Sequence, residues 1–146
     1  MGQTPPENTP IIFNLPVTSG LRPVERITIS SDGKEIYYGE LDTWPANVKR
    51  IKCFKYVGSA WVGPTDVFEG FICPSLSIND SIMYMQKDIA GIATTFYSKK
   101  MDTGWSSPAR LLSTNLQSHY FQETQMENFY LASTSNGSSE IGRAHV

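Results

Sequence analysis

Apolar and polar residues alternate along this chain in short runs, which is the pattern of β-strands. Four such runs form a first group, at residues 26–29, 35–41, 50–56 and 61–67. A tight turn at Ser31-Asp32-Gly33-Lys34 separates the first two runs, and Gly33 is free to adopt the positive φ that such a turn uses. No segment keeps a 3.6-residue period, so we expect almost no helix.

The same plan returns further along the chain. Trp61 and Pro64 recur 44 residues later as Trp105 and Pro108, and a strand tyrosine recurs at Tyr37, Tyr84 and Tyr130. A second group of strands is predicted at 71–77, 81–86, 94–99 and 105–112, and a third group begins at 120–124 and 129–131. A strand-rich repeat of roughly 40–50 residues is typical of β-propeller blades. The sequence therefore predicts an all-β, partial β-propeller with about two and a half four-stranded antiparallel blades.

The expected organisation follows from this repeat. Residues 1–24 hold five of the nine prolines and are predicted to be an extended segment that completes the last blade of a full propeller. The blades are predicted at 25–68, 69–113 and, truncated, 114–139. Because an incomplete ring leaves blade faces uncovered, we expect the chain to associate with itself.

The last residues, 140–146, are predicted to be a non-native tail. The run Ile141-Gly142-Arg143-Ala144-His145-Val146 resembles the translation of a sequencing adapter. On that interpretation the natural protein continues beyond residue 139, and His119 is the only native histidine.

Composition and charge change this picture little. The net charge is −2 and the basic residues are scattered, so the sequence does not predict binding to nucleic acid or to an anionic membrane. No apolar run approaches the roughly 20 residues that span a bilayer, so no membrane span is expected. The first residues show neither the basic nor the apolar region of a signal peptide.

One turn and its following strand carry a family resemblance. The segment Ile29-Ser30-Ser31-Asp32-Gly33-Lys34-Glu35-Ile36-Tyr37-Tyr38 resembles the F-S-P-D-G-K-x-I-Y-F motif of TolB-type, WD40-like propellers, with Ser31 in place of proline. Residues 2–13 are similar to the opening of bacterial secreted proteins with these repeats. The resemblance implies a six- or seven-bladed propeller in a periplasmic or secreted protein, and no invariant catalytic set comes with it.

Most of the distinctive residues are interpreted as structural. Asp32 and Gly33 are assigned to the turn, while the recurrence of several residues at the blade period favours packing roles. A sugar-stacking platform at Trp61 and Trp105 is the alternative for those two residues. A sialidase Asp-box is disfavoured because Gly33 follows Asp32 directly. The recurring packing positions are Tyr37, Trp61, Pro64, Tyr84, Trp105, Pro108 and Tyr130.

No catalytic, cofactor or metal site is predicted. Cys53 and Cys73 are interpreted as two buried free thiols, and a disulfide between them is the alternative outside the cytoplasm. His119 has no evident partner, and neither a G-x-S-x-G elbow nor a phosphate-binding glycine loop is present.

The connections between second and third strands are the predicted partner surface. They hold Asp42, Trp44 and Asn47 in the first blade, and Lys87 and Asp88 in the second. The expected function is a non-catalytic scaffold that binds an unknown protein or glycan. The alternatives are the propeller part of a hydrolase whose catalytic residues lie outside this chain, and an anchor with a separate peptidoglycan-binding domain.

Overall fold

The computed structural model describes residues 15–112, 117–124, 129–135 and 138–144. In the last two of these ranges, which include residue 130, it describes the backbone alone. These residues form antiparallel sheets and no helix. The predicted all-β, partial propeller-like fold is confirmed. Its sheets follow one another along the chain, and each sheet is built from neighbouring strands joined by short connections.

The first sheet has the four strands predicted for a complete blade. Its strands pair in chain order, so β1 and β4 are the two edges. Pro23 and Pro64 lie in these edge strands, where a residue without an N–H interrupts no central ladder. The strands are β1 (Arg22–Ile29), β2 (Glu35–Leu41), β3 (Lys49–Val57) and β4 (Ala60–Glu69).

The second sheet repeats this order but differs at its outer edge. Its strands are β5 (Ile72–Leu76), β6 (Ile82–Ile89), β7 (Ile92–Met101), β8 (Gly104–Trp105) and β9 (Ala109–Arg110). Both β8 and β9 pair with β7. The prediction of one continuous outer strand at 105–112 is therefore wrong. The break falls at residues 106–108, where Pro108 has no N–H to donate to a ladder.

The third sheet contains β10 (Gln117–Glu123), β11 (Phe129–Ser135) and β12 (Ser138–Ala144). The first two were predicted. The third strand, β12, pairs with β11 over its whole length and includes most of the segment that resembles a translated adapter. The non-native origin of that segment stays a prediction, as does the blade-completing role of residues 1–24, of which residues 1–14 lie outside the described residues.

The three sheets share one register around the repeated tyrosine. Tyr37 lies opposite Thr28, Tyr84 opposite Ser75, and Tyr130 opposite Gln122. The tyrosine repeat read from the sequence therefore marks equivalent positions on the second strand of every sheet.

The main core lies between the first and second sheets. Two ring contacts cross this interface: Tyr37 meets Trp105 edge-on at 6.0 Å between ring centroids, and Phe68 lies 6.5 Å from the same indole. Burial of each such side chain contributes about 1.5–3 kcal/mol, which makes this interface the principal stabilising contact of the fold. Its buried members are Tyr37, Ile51, Cys53, Phe68, Phe71, Leu76, Met83 and Met85.

A serine paired with an Asp or Asn side chain fixes the turn between the first two strands in both the first and the second sheet. Ser30 Oγ accepts a hydrogen bond from the Glu35 N–H at 2.9 Å and donates to Asp32 Oδ1 at 2.6 Å. In the second sheet, Ser77 Oγ accepts from the Ile82 N–H at 2.9 Å and donates to Asn79 Oδ1 at 2.8 Å. The turn chemistry therefore persists although the Asp-Gly-Lys motif does not.

Replacing Ser30 with alanine should lower the free energy of unfolding by about 1–2 kcal/mol, because the buried hydroxyl is the acceptor for a strand N–H. Ser77→Ala should have the same effect, since that hydroxyl holds the equivalent place. Urea denaturation followed by circular dichroism measures both. Ser107→Ala, at an exposed position, serves as the control, and equal midpoints for all three variants would contradict the proposed role of the turn serines.

The third feature that repeats is a bulge in the first strand of each sheet, namely β1, β5 and β10. The pairing register shifts between Val24 and Ile27, between Ile72 and Ser75, and between His119 and Gln122. Each bulge holds one non-glycine residue with positive φ, namely Glu25 (58°), Cys73 (56°) and Tyr120 (53°). A positive φ is uncommon in residues other than glycine, so its recurrence in all three sheets marks a backbone conformation that the fold requires.

Candidate functional site

The connection between β2 and β3 presents an indole to solvent. Trp44 is 60% exposed, which sets it apart from the other two tryptophans. Asp42 holds the loop in shape, because its Oδ1 accepts hydrogen bonds from the N–H groups of Thr43 at 2.7 Å, Asn47 at 3.1 Å and Val48 at 3.2 Å. The bond from the Thr43 N–H is the main cause that lowers the pKa of Asp42.

A cation joins this loop to the second sheet. Lys49 Nζ lies 5.6 Å from the centroid of the Trp44 ring and forms an ion pair with Asp88. Lys49 is largely buried there, so water screens the ion pair less than it would at an open surface. The contact places Trp44 and Asp88, predicted from separate connections, on one surface. We call this the Trp44 surface: Trp44, Lys49, Asp88 and the adjoining loop 42–48.

The predicted second loop of that surface needs correction. Lys87 and Asp88 lie in strand β6, where they pair with Thr94 and Ala93, and the connection to β7 is a two-residue turn at Ala90-Gly91. Ala90 and Gly91 both have positive φ, which closes a tight hairpin where a long loop was predicted. Lys87 Nζ lies 5.1 Å from the Phe71 ring centroid, so it covers the end of the core.

The sequence analysis did not identify Lys49 as a site residue, because no motif in the neighbouring residues distinguishes it from other lysines. It follows the loop directly, as the first residue of β3, and its role depends on a carboxylate 39 residues away. Asn47 was identified correctly as a loop residue, and the structure leaves it exposed.

The other two tryptophans pack against aromatic rings. Trp61 lies 5.4 Å from the Tyr56 ring and against the cluster of Ile36, Tyr38 and Phe54. Trp105 contacts Tyr37, and its ring lies 6.5 Å from that of Phe68. Both are half-buried, so neither offers the free indole face that Trp44 does. Pro108 lies between β8 and β9.

A cavity of about 330 Å³ opens between the first two sheets, lined in part by Lys55, Lys100 and Trp105. Beside it, Glu35 accepts hydrogen bonds from Tyr37 Oη at 2.9 Å, Lys55 Nζ at 2.9 Å and Lys100 Nζ at 2.7 Å. Burial acts to raise the pKa of Glu35, but the bonds from Lys100, Lys55 and Tyr37 outweigh it and lower the pKa. Because Lys100 belongs to the second sheet and the other two donors belong to the first, this carboxylate links the two sheets.

The two cysteines are free and buried, as predicted. Cys53 lies in β3, and burial is the main cause that raises the pKa of its thiol. Cys73 lies in β5 and donates to Glu25 Oε2 at 2.6 Å, so burial and then the nearby carboxylate raise its pKa. Because the thiolate is the reactive form, neither environment favours a nucleophile.

Other chemistry in the described ranges is sparse. His119 is half-buried in β10, with its ring 5.8 Å from the ring of Tyr120. Within the part of the chain that the structure describes, no three His, Cys, Asp or Glu side chains are close enough together to hold a metal ion. Across the same ranges, no helix is long and apolar enough to cross a membrane.

No family model matches the chain, and no curated protein matches it.

Proposed function

We propose that this protein is a non-catalytic binding domain whose Trp44 surface stacks against a glycan. The observation that carries the proposal is an exposed indole with a built support. The carboxylate of Asp42 shapes its loop, and Lys49 links it to Asp88 in the neighbouring sheet. A flat apolar ring surrounded by polar groups matches a sugar ring, which has apolar C–H faces and a polar hydroxyl edge.

We also propose that the domain works outside the cytoplasm of a bacterium, as part of a TolB-type propeller. The resemblance of residues 29–38 to that repeat supports this assignment. Fractionation of bacterial cells that carry the gene, followed by immunodetection, tests the location. A signal restricted to the cytoplasm would contradict it.

The glycan proposal predicts a specific loss. In a panel of soluble neutral hexose and N-acetylhexosamine oligomers, at least one should quench tryptophan fluorescence in a saturable manner. Trp44→Ala should weaken binding by about thirtyfold, because it removes an aromatic anchor. Isothermal titration calorimetry measures the affinity independently of fluorescence.

Two variants make the result interpretable. Trp44→Phe keeps an aromatic ring and should retain part of the affinity. Val57→Ala changes a similarly exposed apolar residue at the other end of β3 and should leave the affinity unchanged. If no oligomer in the panel binds, or if Trp44→Ala binds as well as the wild type does, the glycan proposal is wrong.

A further inference from the structure

The cavity between the first two sheets combines cations with aromatic rings in its lining. Lys55 comes from β3 of the first sheet, while Lys100 and Trp105 come from β7 and β8 of the second. The volume of about 330 Å³ lies at the small end of the ~300–1,000 Å³ range of small-molecule sites. We call this cavity the Lys55–Lys100 cleft.

One carboxylate holds both ammonium groups at the cleft. Glu35 Oε1 lies 2.9 Å from Lys55 Nζ, and Glu35 Oε2 accepts a hydrogen bond from Lys100 Nζ at 2.7 Å. Among the described residues, Glu35 is the only carboxylate that either lysine contacts. An ammonium has three N–H donors, and the two side chains are 54% and 38% exposed. Two positioned cations that share one negative charge favour an anion, because each keeps donors for it.

An indole lies within reach of these cations. Lys100 Nζ is 5.9 Å from the centroid of the Trp105 ring. Tyr37 and Phe68, which also line the cleft, pack against this indole and hold it in place. Because Trp105 is only half-buried, an apolar group attached to an anion at Lys100 would lie against the indole.

Two further carboxylates line the cleft, and they differ in how their charge is balanced. Asp66 forms ion pairs with Lys52 at 2.8 Å and with Arg50 at 3.2 Å, so its charge is already neutralised. Asp102 lies exposed in the turn between β7 and β8, and it forms no ion pair within the described ranges. Asp102 therefore leaves a negative charge that partly opposes the two lysines.

We propose that the Lys55–Lys100 cleft binds a small organic acid, in which a carboxylate is carried on an apolar or aromatic body. The carboxylate bridges the two lysine ammonium groups, and the apolar body lies on Trp105. The site is separate from the Trp44 surface, because Lys49 begins β3 whereas Lys55 lies near the other end of that strand. Its ligand is also charged, while the proposed glycan is neutral.

Isothermal titration calorimetry at neutral pH, with benzoate, phenylacetate and hexanoate as probes, tests the ligand class. At least one of these acids should bind in a saturable manner. The amide of the same acid should bind at least about tenfold more weakly, because it offers the lysines no charge. Acetate keeps the charge but has almost no apolar body, and it should also bind at least about tenfold more weakly.

Three variants test the residues. Lys55→Met should weaken binding of the acid by at least about tenfold, and circular dichroism should show an intact fold because this lysine is largely exposed. Lys99→Met removes an exposed lysine next to Lys100 that does not line the cleft, and it should leave the affinity unchanged. Asp102→Asn should tighten binding by about twofold to fivefold, because it removes an opposing exposed charge.

Nuclear magnetic resonance locates the bound acid. The chain has three tryptophans, and Trp105→Phe and Trp44→Phe identify the indole N–H signals of these two residues. The acid should shift the Trp105 signal and leave the Trp44 signal in place. The proposal is overturned if none of the acids binds, if an acid and its amide bind equally, or if Lys55→Met binds as well as Lys99→Met does. A shift confined to the Trp44 signal would also overturn it, and would place the acid on the Trp44 surface.

Discussion

Lys52→Met should lower the free energy of unfolding by about 3–5 kcal/mol, as expected when one partner of a buried ion pair is removed. Lys52 Nζ lies 4.0 Å from Glu40 Oε2 and 2.8 Å from Asp66 Oδ1. The Glu40 side chain is 0% exposed, and its Oε2 has no hydrogen-bond donor among the described residues. Within the described ranges, Lys52 is thus the only cation that forms an ion pair with this enclosed carboxylate. Chemical denaturation monitored by circular dichroism measures the loss.

The matched double variant separates charge from packing. Lys52→Met combined with Glu40→Leu should recover most of the lost stability, because no buried charge remains. Lys55→Met removes a lysine that is also ion-paired but more than half exposed, and should cost less than about 1 kcal/mol. A Lys52→Met variant as stable as Lys55→Met would show that Glu40 does not depend on Lys52.

Tyr37→Ala should cost about 3–5 kcal/mol, the usual effect of truncating a large aromatic residue in a packed core. The ring is 1% exposed and supports Trp105 across the interface between the first two sheets. A cavity there should loosen Trp105 as well, so tryptophan emission should move to longer wavelength before the main unfolding transition.

Tyr37→Phe keeps the ring and removes only the hydroxyl that donates to Glu35. Its cost should be about 1–2 kcal/mol, because Lys55 and Lys100 still neutralise that carboxylate. Equal losses for the two variants would mean that the hydroxyl, and not the ring, holds the sheets together. A loss below about 1 kcal/mol for Tyr37→Ala would contradict the packing role altogether.

Sequence patterning was sufficient for the central strands and their order. The second strand was predicted at 35–41 and is observed as Glu35–Leu41, since a turn with Gly33 on one side and a loop with Pro45 on the other define its ends. The three tyrosines were likewise placed correctly relative to one another. These features depend on local chemistry and on a repeat that the sequence displays directly.

The features that sequence patterning missed depend on contacts between sheets. Nothing near Lys87 and Asp88 distinguishes a long loop from an extended hairpin, because the pairing partners Thr94 and Ala93 decide it. The support of Trp44 by Lys49 depends on Asp88 in another sheet in the same way. The bulges were not predicted either, since Glu25, Cys73 and Tyr120 have no common side-chain chemistry.

The three bulge positions accept different side chains on one backbone conformation. A carboxylate, a thiol and a phenol hold equivalent places in three successive sheets, and the backbone conformation is nearly the same in each. Contacts join these positions: Cys73 donates to Glu25, and Arg26, next to Glu25, donates to the carbonyl of Phe121, next to Tyr120, at 2.9 Å. The innermost strands therefore hold a set of positions where a side chain can be exchanged without altering the chain path. A new reactive side chain at one of these bulge positions would therefore need a single substitution and no change of fold.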